Sequence, residues 1–455
     1  ISLALELQSL DEVVVVGYGT QSKRAVSGAV SSVGFKQFQD RSFSNVTQAL
    51  SGQIAGVNIS QSQGAPGVSP IIRIRGVSSI TAGTNPLFVV DGVPLENFNL
   101  NMVNPQDIES VEVLKDASSA AIYGSRGANG VILVTTKLGK AGKTTFSVGY
   151  ESGVQSVERR VKMMDAQQWI NYYIDAHNNA WVDLNPAKNK ASDPNSVRGS
   201  VYKIPDEFLT NPQQFGKGTD WQDVMFRVAP SQNVQFSASG GTDKTQFMFS
   251  AAYLSQDAVL DENYYKRLSL RSNIKHQLSN KFTIGLNLGI TGIFDRTDGT
   301  QGKSDVVSLA LQSDPIFPVY NENGNIGYRD PNSVWNKYVA YNDLNLWHPY
   351  SLTRYIHKQN KTFNTLATGF LEYKILDDLK FKTSISANLY NTRYNSYRVN
   401  KQGYGYSGIL PAEGYSTSGY SLNWLSENTL NYDKSFGDHM VFKSLCDMLR
   451  RSQSD

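Results

Sequence analysis

The strongest constraint on this chain is a repeat of extended segments, each apolar on alternate residues. Between Arg267 and Leu278, Leu268, Leu270, Ile274 and Leu278 share one face. Arg267, Ser269, Arg271, Asn273, Lys275 and Gln277 share the other. Phe282, Ile284, Leu286, Leu288 and Ile290 then stand opposite Thr283, Gly285, Asn287, Gly289 and Thr291. A period of two belongs to a strand with one apolar face. Such segments fill the chain after Lys143, and their connections alternate in length. Thr242-Asp243-Lys244, Ser279-Asn280-Lys281, Asp377-Asp378 and Gly437-Asp438 read as tight turns. Between them lie long polar stretches at about 159–228, 295–361 and 396–419, and a shorter one near 256–264. Short turns on one side and long loops on the other mark an antiparallel outer-membrane β-barrel. A soluble β-sandwich would bury the same faces and stays open as an alternative, but it does not require the asymmetry.

Residues 1 to about 140 follow a different rule. Short apolar runs (QIAGVNIS, PIIRIRGV, PLFVVDGVPL, IESVEVLK and NGVILVTTK) alternate with glycine-rich turns. Asp91-Gly92 sits between apolar runs and reads as a tight turn. KDASSAAIYG reads as a short helix, with Asp116 as N-cap and Gly124 as C-cap. The expectation is a compact α+β domain with a small mixed sheet. Abundant glycine (37), tyrosine (24) and phenylalanine (20), with only 18% charged residues, favour strands and turns throughout.

Other function classes find little support. The formal charge is +3, from 43 basic and 40 acidic residues, which gives no reason to expect nucleic acid as a partner. One cysteine, Cys446, and five scattered histidines argue against a disulfide framework or a zinc centre, and no cofactor is expected. No G-x-S-x-G elbow sits on a strand-to-helix turn, and the chain is expected not to be an enzyme. No apolar run approaches the roughly 20 residues of a membrane helix. Residues 1–10 show no signal-peptide pattern, which decides nothing because the chain does not begin with Met.

LDEVVVVGYG, Leu10 to Gly19, resembles the start of a dinucleotide-binding unit. That fingerprint needs a third glycine where Ser22 stands, followed by a helix, whereas Lys23 to Val33 alternates instead. The segment is better matched by the TonB box of TonB-dependent outer-membrane transporters, particularly the SusC/RagA family. ALSGQIAGVNISQSQGAPGVSPIIRIRGVSS, NPLFVVDGVPL and DIESVEVLKDASSAAIYGSRGANGVILVTTK resemble that family's plug domain, in the family's order, over about 130 residues. Beyond residue 140 the likeness is to the family's barrel pattern.

The resemblance implies a division into the end of a preceding β-sandwich domain (1–9), a TonB box segment (10–24), a plug (25–143), the first part of the barrel (144–440) and an atypical tail (441–455). It also implies TonB-dependent import of an oligomeric nutrient, with glycan or oligosaccharide first; peptide, siderophore and cobalamin importers share the plug. Asp11, Glu12, Val13, Val14, Val15, Val16, Gly17, Tyr18 and Gly19 would pair as an added strand with TonB, driven by ExbB and ExbD. Val13 to Val16 could equally form an ordinary buried strand of the first domain. Arg73 and Arg75 alternate with Ile72 and Ile74, and barrel carboxylates would be their natural partners, unless they are simply solvated. Gly76, Asp91, Gly92, Tyr123, Gly124, Arg126, Gly127, Asn129 and Gly130 join them as plug-gating candidates, although the glycines also suit a plain turn cluster. In the loops, Trp181, Trp221, Trp335 and Trp347 are candidate glycan contacts, with Trp169 beside them. They also suit loop cores or an interface girdle. Expected partners are a SusD-like surface lipoprotein, an oligosaccharide or peptide ligand and outer-membrane lipid.

The length departs from the family. About eight or nine strands follow Thr144, against the 22 of plugged outer-membrane transporters. Alternation is lost after Gly437, in GDHMVFKSLCDMLRRSQSD. A truncated or shifted reading frame, or an artificial end, is expected, and so is a chain that does not seal a barrel alone.

Overall fold

The computed structural model describes residues 13–16, 19–22, 30–34, 46–61, 64–76, 83–96, 98–296, 305–327, 333–339, 347–399, 401–405, 408–436 and 440–454. Strands β1 (Val13–Val16) and β2 (Gly19–Ser22) form a separate antiparallel pair, with Val13 opposite Ser22. They do not join the sheet of the next domain. Residues 1–9, Asp11, Glu12, Gly17 and Tyr18 lie outside the described residues, as does the Gly437-Asp438 turn.

The first domain is built on β3 (Val30–Gly34), helix α1 (Val46–Leu50), the hairpin β4 (Val57–Ser60) and β5 (Ile71–Ile74), then β6 (Leu87–Val90), β7 (Val93–Leu95), β8 (Ile108–Leu114), helix α2 (Ala117–Ala120) and β9 (Val131–Thr136). Its main sheet runs β3-β8-β9-β6-β7, and β6–β9 is the parallel pair in an otherwise antiparallel order. That is the mixed sheet expected. LFVV and VILV lack alternation because both faces are covered. Phe88, Val90, Ile132 and Val134 pack on Val46, Leu50, Ile72 and Ile74. On the other face Leu87, Val89, Val131 and Leu133 pack against Ala120 and Tyr123. Asp116 holds the N-cap position of α2 without capping it through its side chain. Gly124 (φ 59°) is a kink, not a terminus, because a 3₁₀ segment continues to Gly127.

The second body is one curved antiparallel sheet. Its strands are β10 (Gly142–Gln155), β11 (Ala229–Gly241), β12 (Thr245–Asp257), β13 (Tyr264–Gln277), β14 (Phe282–Arg296), β15 (Ile356–Leu376) and β16 (Leu379–Arg398). After a small hairpin, β17 (Lys401–Gly405) with β18 (Gly408–Leu410), it resumes with β19 (Glu413–Phe436) and β20 (Met440–Ser454). The order is sequential, β10-β11-β12-β13-β14-β15-β16-β19-β20, so this is a nine-stranded partial barrel wall. The turns at 242–244, 279–281 and 377–378 fall where expected, and the long connections share the opposite rim. Phe146, Val148, Leu268, Leu270, Ile284, Leu286 and Ile385 stand exposed on the convex face. The segment whose sequence loses alternation is nonetheless a strand over Met440–Ser454. Met440–Ser454 pairs in unbroken register with β19, from Phe436↔Met440 to Leu422↔Ser454. A free sheet edge offers backbone donors and acceptors whatever the side-chain pattern.

The two longest connections fold together at the long-loop rim. Helices α3 (Ala166–Leu184), α4 (Asp206–Thr210), α5 (Trp221–Met225), α6 (Val306–Gln312), α7 (Asn336–Val339) and α8 (Pro349–Tyr355) enclose a core that includes Ile170, Phe208, Phe215, Trp221, Met225, Phe317 and Tyr338. Thr219 N donates to Pro315 O (2.8 Å) and Trp221 Nε1 to Asp314 O (3.0 Å), tying one connection to the other.

Candidate functional site

The site is the seam where the first domain meets the concave, polar face of the wall. At its centre is the β6–β7 turn. Asp91 (φ 49°) and Gly92 (φ 89°) both adopt left-handed backbone, the geometry of a two-residue hairpin turn. That turn projects the Asp91 carboxylate towards β13. There it accepts from Thr136 N (2.9 Å) and Thr136 Oγ1 (2.8 Å), and pairs with Arg271 at 2.8 Å. The two charged side chains are only 9% and 7% exposed. Arg271 Nη1 also donates to Thr136 Oγ1 (2.9 Å), and Asn273 donates to Thr136 Oγ1 and to Lys137 O, both at 2.8 Å. A buried ion pair repays its desolvation only with supporting hydrogen bonds of this kind.

Further contacts extend the seam. Arg267 donates to Asn101 O (3.0 Å), and Thr291 Oγ1 donates to Met102 O (2.8 Å). Leu366 of the wall enters the core of the first domain. Gly67 (φ 78°) lies against the Tyr265 ring so closely that a β-carbon there would overlap it. Asp107 is buried beside the seam. Desolvation holds its carboxyl above the ordinary carboxylate range, against the opposing pull of Arg271, Lys137 and Arg267. Desolvation likewise lowers Lys137.

The arginines expected at this seam do not form it. Arg73 is exposed on β5, and Arg75 pairs with Asp116 inside its own domain. The cross-body pair has the opposite polarity, with the acid on the first domain and the arginine on the wall. The basic side chains of β13 already sat on that strand's polar face, whereas Asp91 was legible only as a turn residue. Gly76 (φ 119°) is exposed. Tyr123 is buried against the main sheet, its hydroxyl pushed up by desolvation and by Glu427 of β19. Arg126 faces Glu96 at 3.8 Å, and Asn129 donates to Gly83 O at 2.7 Å. Gly127 packs on Ala120, and Gly130 (φ 88°) lies so close to Ile74 that a β-carbon would stand 2.8 Å from its Cδ1.

The tryptophans lie apart from the seam. Trp221 (3% exposed) and Trp181 (8%) are buried, the latter donating to Asp193 at 2.9 Å. Trp169 and Trp335 pack against the loop core, and Trp347 is half-buried at the start of the α8 segment. Burial leaves Trp181 and Trp221 no open ring face for a sugar, which corrects the expectation of glycan contact at these two. The loop-core alternative describes them.

Residues 22–131 match the model of the TonB-dependent Receptor Plug Domain. TonB-dependent receptor P26 of Formosa agariphila is 33% identical over 451 residues, covering 96% of this chain and 41% of that protein. TonB-dependent receptor SusC of Bacteroides thetaiotaomicron is 29% identical, covering 91% and 40%. In structure, the RagAB peptide importer in its open-open state superposes with a TM-score of 0.75 at 24% identity, over 95% of this chain and 48% of that one. This chain belongs to the SusC/RagA-type TonB-dependent receptors. It spans about two fifths of the length of its curated relatives. The first domain of the receptor is its plug, and the nine strands are part of its barrel wall.

Proposed function

We propose that the parent receptor is a TonB-coupled importer of an oligomeric nutrient across the bacterial outer membrane, with a glycan as the foremost cargo. The observation that carries this reading is the buried Asp91–Thr136–Arg271–Asn273 set, which holds a globular plug against a barrel wall. A plug so held blocks a pore at rest and needs work from outside to move. The segment around β1 supplies the handle. Val13–Val16 is an extended strand outside the plug sheet, where TonB can add its own strand and, with ExbB and ExbD, transmit a pull. The long-loop rim faces outward in this reading and meets a SusD-like lipoprotein, while the convex apolar face meets lipid. Oligopeptide or siderophore import, or a non-transporting receptor or adhesin role, are the rival readings.

Deleting Leu10 to Gly19 in the full-length receptor is the deciding experiment. Uptake of the growth substrate is expected to vanish while the protein still reaches the outer membrane. Uptake that survives the deletion overturns the importer reading in favour of the adhesin.

A further inference from the structure

On β14, β15 and β16 the convex face is uncharged along its middle and regains charge in a single row. Two aromatic pairs frame the uncharged stretch. Near the tight-turn end Phe282 stacks on Tyr373, with ring centroids 4.6 Å apart, and towards the long-loop rim Phe294 meets Phe363 edge-on at 5.5 Å. Tyr373 and Phe363 are ten residues apart on β15, or about 34 Å along the strand. At a tilt of about 40° that spans about 26 Å of membrane thickness, close to the roughly 25 Å apolar band of an outer-membrane barrel. The first charged side chains beyond the stretch are Lys361 of β15 and Arg393 of β16. They stand directly opposite each other in the ladder, on the face shared with Phe363 and Ile385. Side chains so placed leave the sheet roughly 5 Å apart, and two like charges there repel. Phe294 and Ser418 flank them in the same row, and their same-face neighbours one step along β15 and β16 are Gln359, Phe363, Asn391 and Asn395. None of these is acidic, so the ladder itself supplies no counter-charge.

We infer that Lys361 and Arg393 form a binding site for the phosphate of an outer-leaflet glycolipid. The inference rests on the reading that the convex face meets lipid, and it names one lipid that this face holds. A phosphate between the two cations turns their repulsion into a bridge, because ammonium and guanidinium both donate charge-assisted hydrogen bonds to its oxygens. The row lies one step beyond Phe363, at the level where acyl chains give way to headgroups. The next rows outward carry Gln359, Asn395 and Ser416, then His357 and Tyr397. Their amides and hydroxyls both donate and accept, which suits the hydroxyls of a sugar headgroup.

The test is native mass spectrometry of the full-length receptor in detergent. The probes are diphosphorylated lipid A, the same lipid stripped of its phosphates, and phosphatidylglycerol. Phosphorylated lipid A is expected to bind more tightly than either of the others by roughly tenfold or more. Lys361→Gln combined with Arg393→Gln should abolish that preference. Lys380→Gln, at the tight-turn end of β16 on the opposite face, should leave it unchanged. Lys361→Glu serves if the double variant does not fold. It sets a carboxylate opposite Arg393, so it should raise the unfolding temperature in lipid-free detergent while removing the preference, a combination that damage to the wall does not produce. Equal binding of the stripped lipid or of phosphatidylglycerol, or a preference indifferent to Lys361 and Arg393, overturns the site. Arginine at position 385 separates this from the underlying reading. If Ile385→Arg blocks membrane insertion and no phosphate preference is found, only the headgroup site falls. If Ile385→Arg inserts as well as the native receptor, the lipid-facing reading falls with it.

Discussion

At the residue scale the plug is held by a pair whose members depend on each other. Removing one partner of a buried ion pair strands the other charge away from water, at a cost of about 3–5 kcal/mol. Arg271→Met in the full-length receptor should therefore expose the plug to limited proteolysis and lower its stability to denaturant by about that amount. Asp91→Asn combined with Arg271→Met removes both charges and should restore much of the loss. A double variant as weak as the sum of the singles would show that the two side chains act independently. Such pairing was half visible in the sequence. Arg271 was legible as a polar-face residue of an alternating strand, and Asp91 as a turn residue. That they meet across 180 positions is set by the docking of two bodies, which local periodicity cannot encode. Gly67 was hidden for the same reason, because its constraint is a ring on another strand.

At the element scale, the strands were legible because each has one apolar face, so their period and turns are written locally. The loop core was not, because its helices apart from α3 are short and it gathers residues from connections far apart in sequence. Its tryptophans read ambiguously for that reason. His348 shows how closed this core is. It caps α8, with Nδ1 accepting from Ser351 N at 3.2 Å, and its ring meets Trp221 edge-on at 5.1 Å. Desolvation pushes its imidazole down from 6.5 to about 3. The folded state thus keeps His348 neutral where the unfolded chain would take up a proton. Stability is full above about pH 6.5 and is lost as pH falls towards 3, by up to about 1.4 kcal/mol per pH unit. Loop opening followed by hydrogen exchange should increase over that window. His348→Asn, which retains a cap acceptor and cannot titrate, should flatten the dependence; an unchanged acid response would assign it to other groups.

At the scale of the whole molecule, the wall has two faces with opposite tolerances, and adjacent residues of one strand can separate them. Ile385 is 63% exposed on the convex face, in line with the other outward apolar side chains. Ser384, its neighbour, faces the concave side and pairs across the ladder with Glu427 of β19. If the convex face meets acyl chains, arginine at 385 must carry its charge into hydrocarbon, at about 2–4 kcal/mol near the bilayer midplane. Arginine at 384 enters a polar interior beside a carboxylate and should cost little. Insertion of the full-length receptor into vesicles, followed by its heat-modifiable mobility, should therefore fall for Ile385→Arg and hold for Ser384→Arg. A soluble sandwich would reverse the contrast. Its concave face would be the dry one, so Ser384→Arg would be the damaging change, and Ile385→Arg would be accepted in water.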